Sequence, residues 1–196
     1  MDLTPLILEG EFIRLEPLQI EHIEALCSVG LVDELWLWTA NVNKTKADMQ
    51  RYVETALKEQ SLGSAVAFVT RDKASDKIVG STRFGNIDVN NRKAEIGWTW
   101  INPSWQRSFV NTEAKLLMLT HAFETWKCIR VELKTDALNQ KSRNAIARIG
   151  GKEEGTLRRH MITETGRFRD TVFFSIISDE WESVKLNLTE MLRSNK

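Results

Sequence analysis

The chain has 196 residues, with 27 Lys+Arg against 27 Asp+Glu and a formal net charge of zero. That length allows one domain with a substantial core, and the charge balance gives no electrostatic case for general binding to nucleic acid or an anionic membrane surface. No apolar run approaches the ~20 residues of a membrane span, and the acidic first residues lack the basic region of a secretory signal, so a cytoplasmic protein is expected.

In chain order, Phe12 to Glu16 alternates and reads as a strand. Ile20 to Val29 reads as a short helix, with Cys27 in an apolar stretch. A second helix is predicted over Thr45 to Gln60, where Met49, Val53 and Leu57 recur at helical spacing and Thr45 with Asp48 resembles a capping box. Three strands follow: Ala65 to Arg71, Ile78 to Asn86 and Lys93 to Ile101. Strict alternation in the third would put Ala94, Ile96, Trp98 and Trp100 on one face and Glu95, Gly97 and Thr99 on the other.

Pro103 stops that strand, and a polar loop leads into a helix from Asn111 to about Trp126, with Asn111 or Thr112 as N-cap. Ile129 to Asp136 reads as a strand, and Asn139 to Ile149 as a helix ended by Gly150 and Gly151. Two strands, Glu153 to Ile162 and Phe168 to Ile177, precede a terminal helix over Glu180 to Leu192. Arg158, Arg159, Arg167 and Arg169 form a local basic run that reads as a solvated hairpin face. No repeat or Pro/Gly-rich linker divides the chain, so residues 1–196 are expected to form one domain. Cys27 and Cys128 fit no metal-ligand spacing and are expected to be buried and inert, and no metal site is expected.

Two stretches carry chemistry: A-E-I-G-W-T-W-I-N-P-S-W-Q-R-S-F-V-N-T-E-A-K from Ala94, and R-V-E-L-K-T-D-A-L-N-Q-K-S-R-N-A-I-A-R-I-G-G from Arg130. Over roughly residues 8 to 178 the chain resembles the GNAT acetyltransferases, in particular the ribosomal-protein N-terminal acetyltransferases of RimJ/RimL type. The resemblance implies an α/β (α+β) fold with a mixed central sheet of about six to seven strands and helices on both faces. It also implies an N-acetyltransferase that uses acetyl-CoA and an amine acceptor, a protein N-terminus or a small amine.

In that family the strand carrying Glu-Ile-Gly-Trp leads to a loop and helix N-terminus that hold the CoA pyrophosphate. The corresponding residues here are Gln106, Arg107, Ser108, Phe109, Val110, Asn111 and Thr112. Phe109 stands where the pattern has Gly and Asn111 where it has Gly or Ala. A phenylalanine at a position that asks for positive φ or close backbone approach would crowd the phosphates. The family's N-x-x-S pattern is matched by Asn139 and Ser142, which implies contact of Asn139 with the pantetheine arm and of Ser142 with the CoA sulfur. Read from the residues alone, Asn139 is an N-cap and Ser142 a first-turn residue.

A thioester is already activated, so the acceptor needs only a neutral amine. An α-amine with pKa ~7.7–8.0 spares an enzyme roughly 3–4 kcal/mol of deprotonation cost relative to a lysine at ~10.4. Glu95 is the candidate base or amine anchor, with a surface or salt-bridged glutamate as the alternative. Ser142 is the candidate acid or orienter for the leaving thiolate. Backbone N–H groups around Trp100, Ile101 and Asn102, freed by a bulge or splay before Pro103, are candidate donors to the developing oxyanion. Trp36, Trp38, Arg83, Asn86 and Trp98 are candidates for the acceptor pocket. The alternative functions are a CoA-binding protein of this fold without turnover, which Phe109 would favour, and an acetyltransferase for an antibiotic or polyamine. Exposed tryptophans suit either a ligand cleft or a homodimer contact. His121 and Asp170 are expected to be structural.

Overall fold

The computed structural model describes residues 1–194. The expected elements are present, with two short additions, β1 (Leu8–Glu9) and α2 (Asp33–Trp36). In order, the chain forms β1, β2 (Ile13–Pro17), α1 (Ile23–Gly30) behind a short 3₁₀ turn, α2, α3 (Lys46–Ser61), β3 (Val66–Asp72), β4 (Ile78–Asp88) and β5 (Lys93–Ile101). It continues with α4 (Phe109–Thr120), β6 (Arg130–Asp136), α5 (Gln140–Arg148), β7 (Lys152–Ile162), β8 (Phe168–Ile177) and α6 (Trp181–Arg193). One sheet contains eight strands, slightly more than expected, in the order β1-β2-β3-β4-β5-β6-β8-β7.

Helices cover both faces. On one face α4, α5 and α6 pack over Val79, Phe84, Ile96, Val131, Leu133 and Phe174. On the other, α1 and α3 pack over Ala67, Val69, Ile78 and Trp100. The capping box of α3 is formed: Thr45 Oγ1 accepts from Asp48 N–H at 3.2 Å, and the Asp48 carboxylate accepts from Thr45 N–H at 2.9 Å. Helix α4 starts earlier than its sequence suggests. Ser108, not Asn111 or Thr112, is the N-cap, and its Oγ accepts from Val110 N–H at 3.3 Å. The helix then widens into a π turn over His121–Thr125, which seats His121 against Phe84 and Trp126 as a structural ring.

Two features of the sheet create an opening. The first is the parallel β5–β6 pair, which is made only at Lys93↔Arg130, Ala94↔Val131 and Glu95↔Glu132. Beyond Glu95 the strands part, and the β6-facing edge of β5 is left without a strand partner. The second is a two-for-one bulge: Gly97 pairs with Arg83 and Trp100 with Ser81, so Trp98 and Thr99 together oppose Thr82. Trp98 takes a positive φ of 50° to make it. A bulge shifts every later side chain to the other face.

The expected alternation is therefore corrected. Ala94, Ile96 and Ile101 face the α4 core, while Trp100 faces α1 and α3 with Trp36 and Tyr52. Trp98 lies over Gly85, so both tryptophans share the face of Glu95 rather than opposing it.

Candidate active site

The site is built around the splayed end of β5. The loop after it is held by its own side chains. Asn102 Oδ1 accepts from Ser104 N–H at 3.0 Å, and its Nδ2 donates to Val29 O at 2.8 Å. Gln106 Nε2 donates to Ile101 O at 2.8 Å, while its Oε1 accepts from Lys141 Nζ on α5. The Asn102 N–H donates to Val79 O at 2.8 Å, which removes it from the expected set of free donors. Because N–H groups alternate sides along a strand, the Ile101 N–H is turned toward the open edge. The bulge falls at Trp98 and Thr99, two residues before the expected donors.

At the loop's end the residue with positive φ is Arg107, at 59°, and Phe109 is the first helical residue. The conformation that glycine supplies most cheaply is thus not demanded of Phe109. Its ring lies on Phe12 of the segment before β2, with centroids 4.8 Å apart, and not across the loop. The first-turn amides of α4, including those of Val110, Asn111 and Thr112, form a helix N-terminus beside the exposed Arg107, a setting that favours an anion. Across the splay, α5 begins at an Asn139 cap whose Oδ1 accepts from Ser142 N–H at 3.0 Å. Ser142 is half-buried in the first turn.

The candidate acceptor residues lie on the opposite side of the sheet, the side of α1, α2 and α3. Glu95 is buried, accepting from Asn86 Nδ2 at 2.7 Å and paired with Lys134 Nζ of β6 at 2.9 Å. A bulge on β4, with Asn86 at φ 47°, swings the amide onto the carboxylate. Lys134 lies 5.9 Å from the centre of the Phe173 ring. Arg83 is only 2% exposed, ion-paired to Glu59 at 2.7 Å and sandwiched between Tyr52 and Trp98. It braces those rings from below rather than presenting its charge to a ligand. Trp36 is core, its Nε1 donating to Gly30 O at 2.8 Å. Trp98 is exposed and Trp38 half-buried, with the Arg167 guanidinium 5.6 Å from the Trp38 ring centre.

The β7–β8 turn closes the far wall. Glu164 N–H donates to Ala40 O at 2.8 Å, and its carboxylate accepts from Val42 N–H at 2.7 Å. Arg167 and Arg169 flank the buried carboxylate of Asp136. That pairing takes Arg167 and Arg169 out of the expected solvated face, while Arg158 and Arg159 are exposed on it as expected. Asp170 accepts from Arg159 N–H at 2.6 Å, a structural role as expected. Cys128 is buried, with its thiol pushed up to about 11 by burial, whereas Cys27 is half-buried. Among the described residues, no cluster of His, Cys, Asp and Glu could hold a metal ion.

The residues that sequence reasoning missed are Tyr52, Thr99, Lys115 and Lys134. Tyr52 Oη donates to Ser81 Oγ at 3.2 Å and lies 3.3 Å from Trp98 O at the bulge. Lys115 of α4 is 4% exposed, and Thr99 meets its Nζ at 2.8 Å. A signal for Lys115 exists in α4: it sits three residues before Met118 and four before Leu119, on the apolar stripe of the helix.

The site thus combines a short parallel contact that parts after Glu95 with a Ser108-capped helix N-terminus beside the gap. Residues 13–152 match the family described as "Acetyltransferase (GNAT) domain", and the chain belongs to that family and is an N-acetyltransferase. It is 36% identical over 108 residues, 55% of this chain and 58% of that protein's length, to "Putative ribosomal N-acetyltransferase YdaF" of Bacillus subtilis. A crystal structure of a GCN5-related N-acetyltransferase from Brucella melitensis superimposes with a TM-score of 0.89 at 31% identity, covering 96% of this chain and 86% of that one. The fold is shared with the Salmonella typhimurium acetyltransferase that modifies the N-terminal serine of ribosomal protein L7/L12. That likeness has a TM-score of 0.78 at 19% identity and covers 88% of this chain and 99% of that one.

Proposed function

We propose that the chain uses acetyl-CoA to acetylate the α-amine of a protein or peptide N-terminus. The observation that carries this reading is the parting of β5 from β6 after Glu95, with the Ser108-capped start of α4 at the mouth of the gap. The free edge of β5 offers backbone donors and acceptors to an amide-bearing arm, as a sheet edge does to a peptide. The α4 amides and Arg107 suit a diphosphate, and the α5 N-terminus with Asn139 and Ser142 lines the opposite wall. Bound there, acetyl-CoA supplies an activated acyl carbon, and this chain's part is to orient the amine and receive charge on the carbonyl oxygen.

On this reading the acceptor approaches over the half-buried Lys134 and Phe173, beside the exposed Trp98 and the half-buried Trp38. Glu95 already holds a cation and an amide donor, which suits it to anchoring more than to free proton abstraction. An α-amine, in part neutral near pH 7, needs only weak assistance. YdaF is named as a ribosomal N-acetyltransferase and the Salmonella enzyme modifies the N-terminal serine of a ribosomal protein, which supports a protein N-terminus over a polyamine. Phe109, turned onto Phe12, gives no support to a binding-only protein.

The test is thiol release from acetyl-CoA with three acceptors: a serine-initiated peptide, the same peptide N-acetylated but carrying a free lysine, and spermidine. Release with the first alone is expected. Release confined to spermidine would replace the acceptor assignment, and none with any amine would remove the enzymatic one.

A further inference from the structure

The proposed function leaves one buried, titratable group without a task. Lys115 projects from α4 to the underside of the β5 bulge, on the face opposite Glu95. Its Nζ lies 2.8 Å from Thr99 Oγ1 and 3.5 Å from Thr82 Oγ1, and the two hydroxyls are 2.7 Å apart. Thr82 also reaches Met118 Sδ at 3.5 Å. Lys115 and Thr82 are buried, whereas Thr99 is exposed on the splayed segment of β5. The amine is therefore one hydroxyl away from the cleft.

Charged groups near it are turned elsewhere. Glu113 of the same helix accepts from the N–H groups of Glu11, Phe12 and Ile13 at 2.7, 2.9 and 2.7 Å. Arg148 of α5 donates to Thr112 at 3.1 Å. Arg83 of β4 and Glu95 of β5 are engaged on the other face, with Glu59 and Lys134. With no counter-ion, burial alone pushes the Lys115 ammonium down to about 7. A buried lysine that binds only hydroxyls can gain and lose its proton near neutrality.

We infer that the Thr99 hydroxyl faces the sulfur of the bound thioester and gives it a proton on departure, with Lys115 a positioning residue that orients and reloads that hydroxyl. This rests on the placement of acetyl-CoA in the β5–β6 cleft. The acceptor nitrogen forms the new bond to the acyl carbon and releases its surplus proton to water. As the carbon–sulfur bond breaks, its electron pair stays on sulfur, Thr99 Oγ1 gives sulfur its proton, and the Lys115 ammonium gives one to Oγ1. Lys115 then takes a proton from water, so an amine and a thioester become an amide and a thiol with nothing left over.

The relay needs Lys115 protonated, so it weakens as pH rises through the lysine's own ionisation. The experiment compares the wild type, Lys115→Met and Thr99→Val, using acetyl-CoA and a serine-initiated peptide. In the wild type a descending limb in kcat near neutral pH is expected. Lys115→Met and Thr99→Val should each lose that limb and about 100-fold in kcat below it, the low end of acid–base contributions, with KM for acetyl-CoA within threefold. An NMR titration of the Lys115 ε-methylene, with and without CoA, gives a readout free of turnover. CoA should move its resonance and midpoint in the wild type, and less in Thr99→Val.

A limb retained in Lys115→Met, or a lysine resonance indifferent to bound CoA, would overturn the relay while leaving the acetyltransferase assignment intact. Failure of calorimetry to detect CoA binding to the wild type would overturn both.

Discussion

Glu95 and Lys115 are buried on opposite faces of one strand, and they differ in what surrounds their charge. Glu95 has Lys134 at 2.9 Å and Asn86 at 2.7 Å, so its ionised form is matched on both sides. Lys115 has two threonine hydroxyls and no carboxylate. A buried charge with a partner keeps that partner in place, whereas burial without a counter-ion disfavours the charged form of Lys115. The carboxylate that sequence reasoning selects as the base is thus the more committed group. The lysine it passes over is the freer one.

The largest expected effect follows from the lysine's lowered pKa. Between pH 7 and 10 the unfolded chain holds a proton on Lys115 that the folded chain has lost, so stability rises with pH over that window. Relative to Lys115→Met, the wild type should gain about 4 kcal/mol from pH 7 to 10, read by urea denaturation, for a shift from 10.5 to about 7. A constant difference between the two would mean the amine is ion-paired after all. Next comes Glu95→Gln, which leaves Lys134 uncompensated and should cost about 3 kcal/mol, most of it restored by adding Lys134→Met. Its kcat should fall less than about tenfold, since a bound base would be worth 100-fold or more. A larger deficit that shrinks as pH rises would return Glu95 to the role of base.

Smaller effects test the cleft. Phe109→Ala removes a half-buried ring from Phe12 and should cost about 1–2 kcal/mol in thermal denaturation, with CoA affinity by calorimetry unchanged within threefold. Much tighter CoA binding would show that the ring obstructs the phosphates. The smallest effect lies at α3, where hydrogen bonds from Thr45 and the Lys44 and Thr45 amides hold the Asp48 carboxyl down at about 2. Its contribution is complete above the unfolded value of 3.8 and lost as pH falls through about 2. Acid titration of the α3 amides by NMR should show fraying in that window, absent from its usual place in Asp48→Asn.

Most of the frame was readable because it depends on local chemistry. The α3 box follows from Thr45 and Asp48, and Asn139 caps α5 whatever else it does. The end of β5 at Ile101 follows from Pro103. The bulge was not readable. Alternation assumes one residue opposite one, and nothing in Gly97-Trp98-Thr99 announces that two residues will oppose Thr82. That single insertion moved Trp98 and Trp100 to the Glu95 face and shifted the expected backbone donors. The start of α4 was misread because Asn111 and Ser108 are both good caps, and the contacts that accompany the earlier start, Phe109 on Phe12 and Glu113 on the Glu11 to Ile13 amides, come from a segment about 100 residues away. Lys115 was missed because a lysine on a helix reads as solvated. Its place on the apolar stripe was legible, but its hydroxyl partners come from two strands in the sheet.

Hydrogen exchange read by mass spectrometry, with and without acetyl-CoA, probes the central placement most directly. The account predicts slowed exchange in peptides spanning residues 97–112 and 139–143, and none along the exposed β7 edge. Protection elsewhere, with those two segments unchanged, would contradict it.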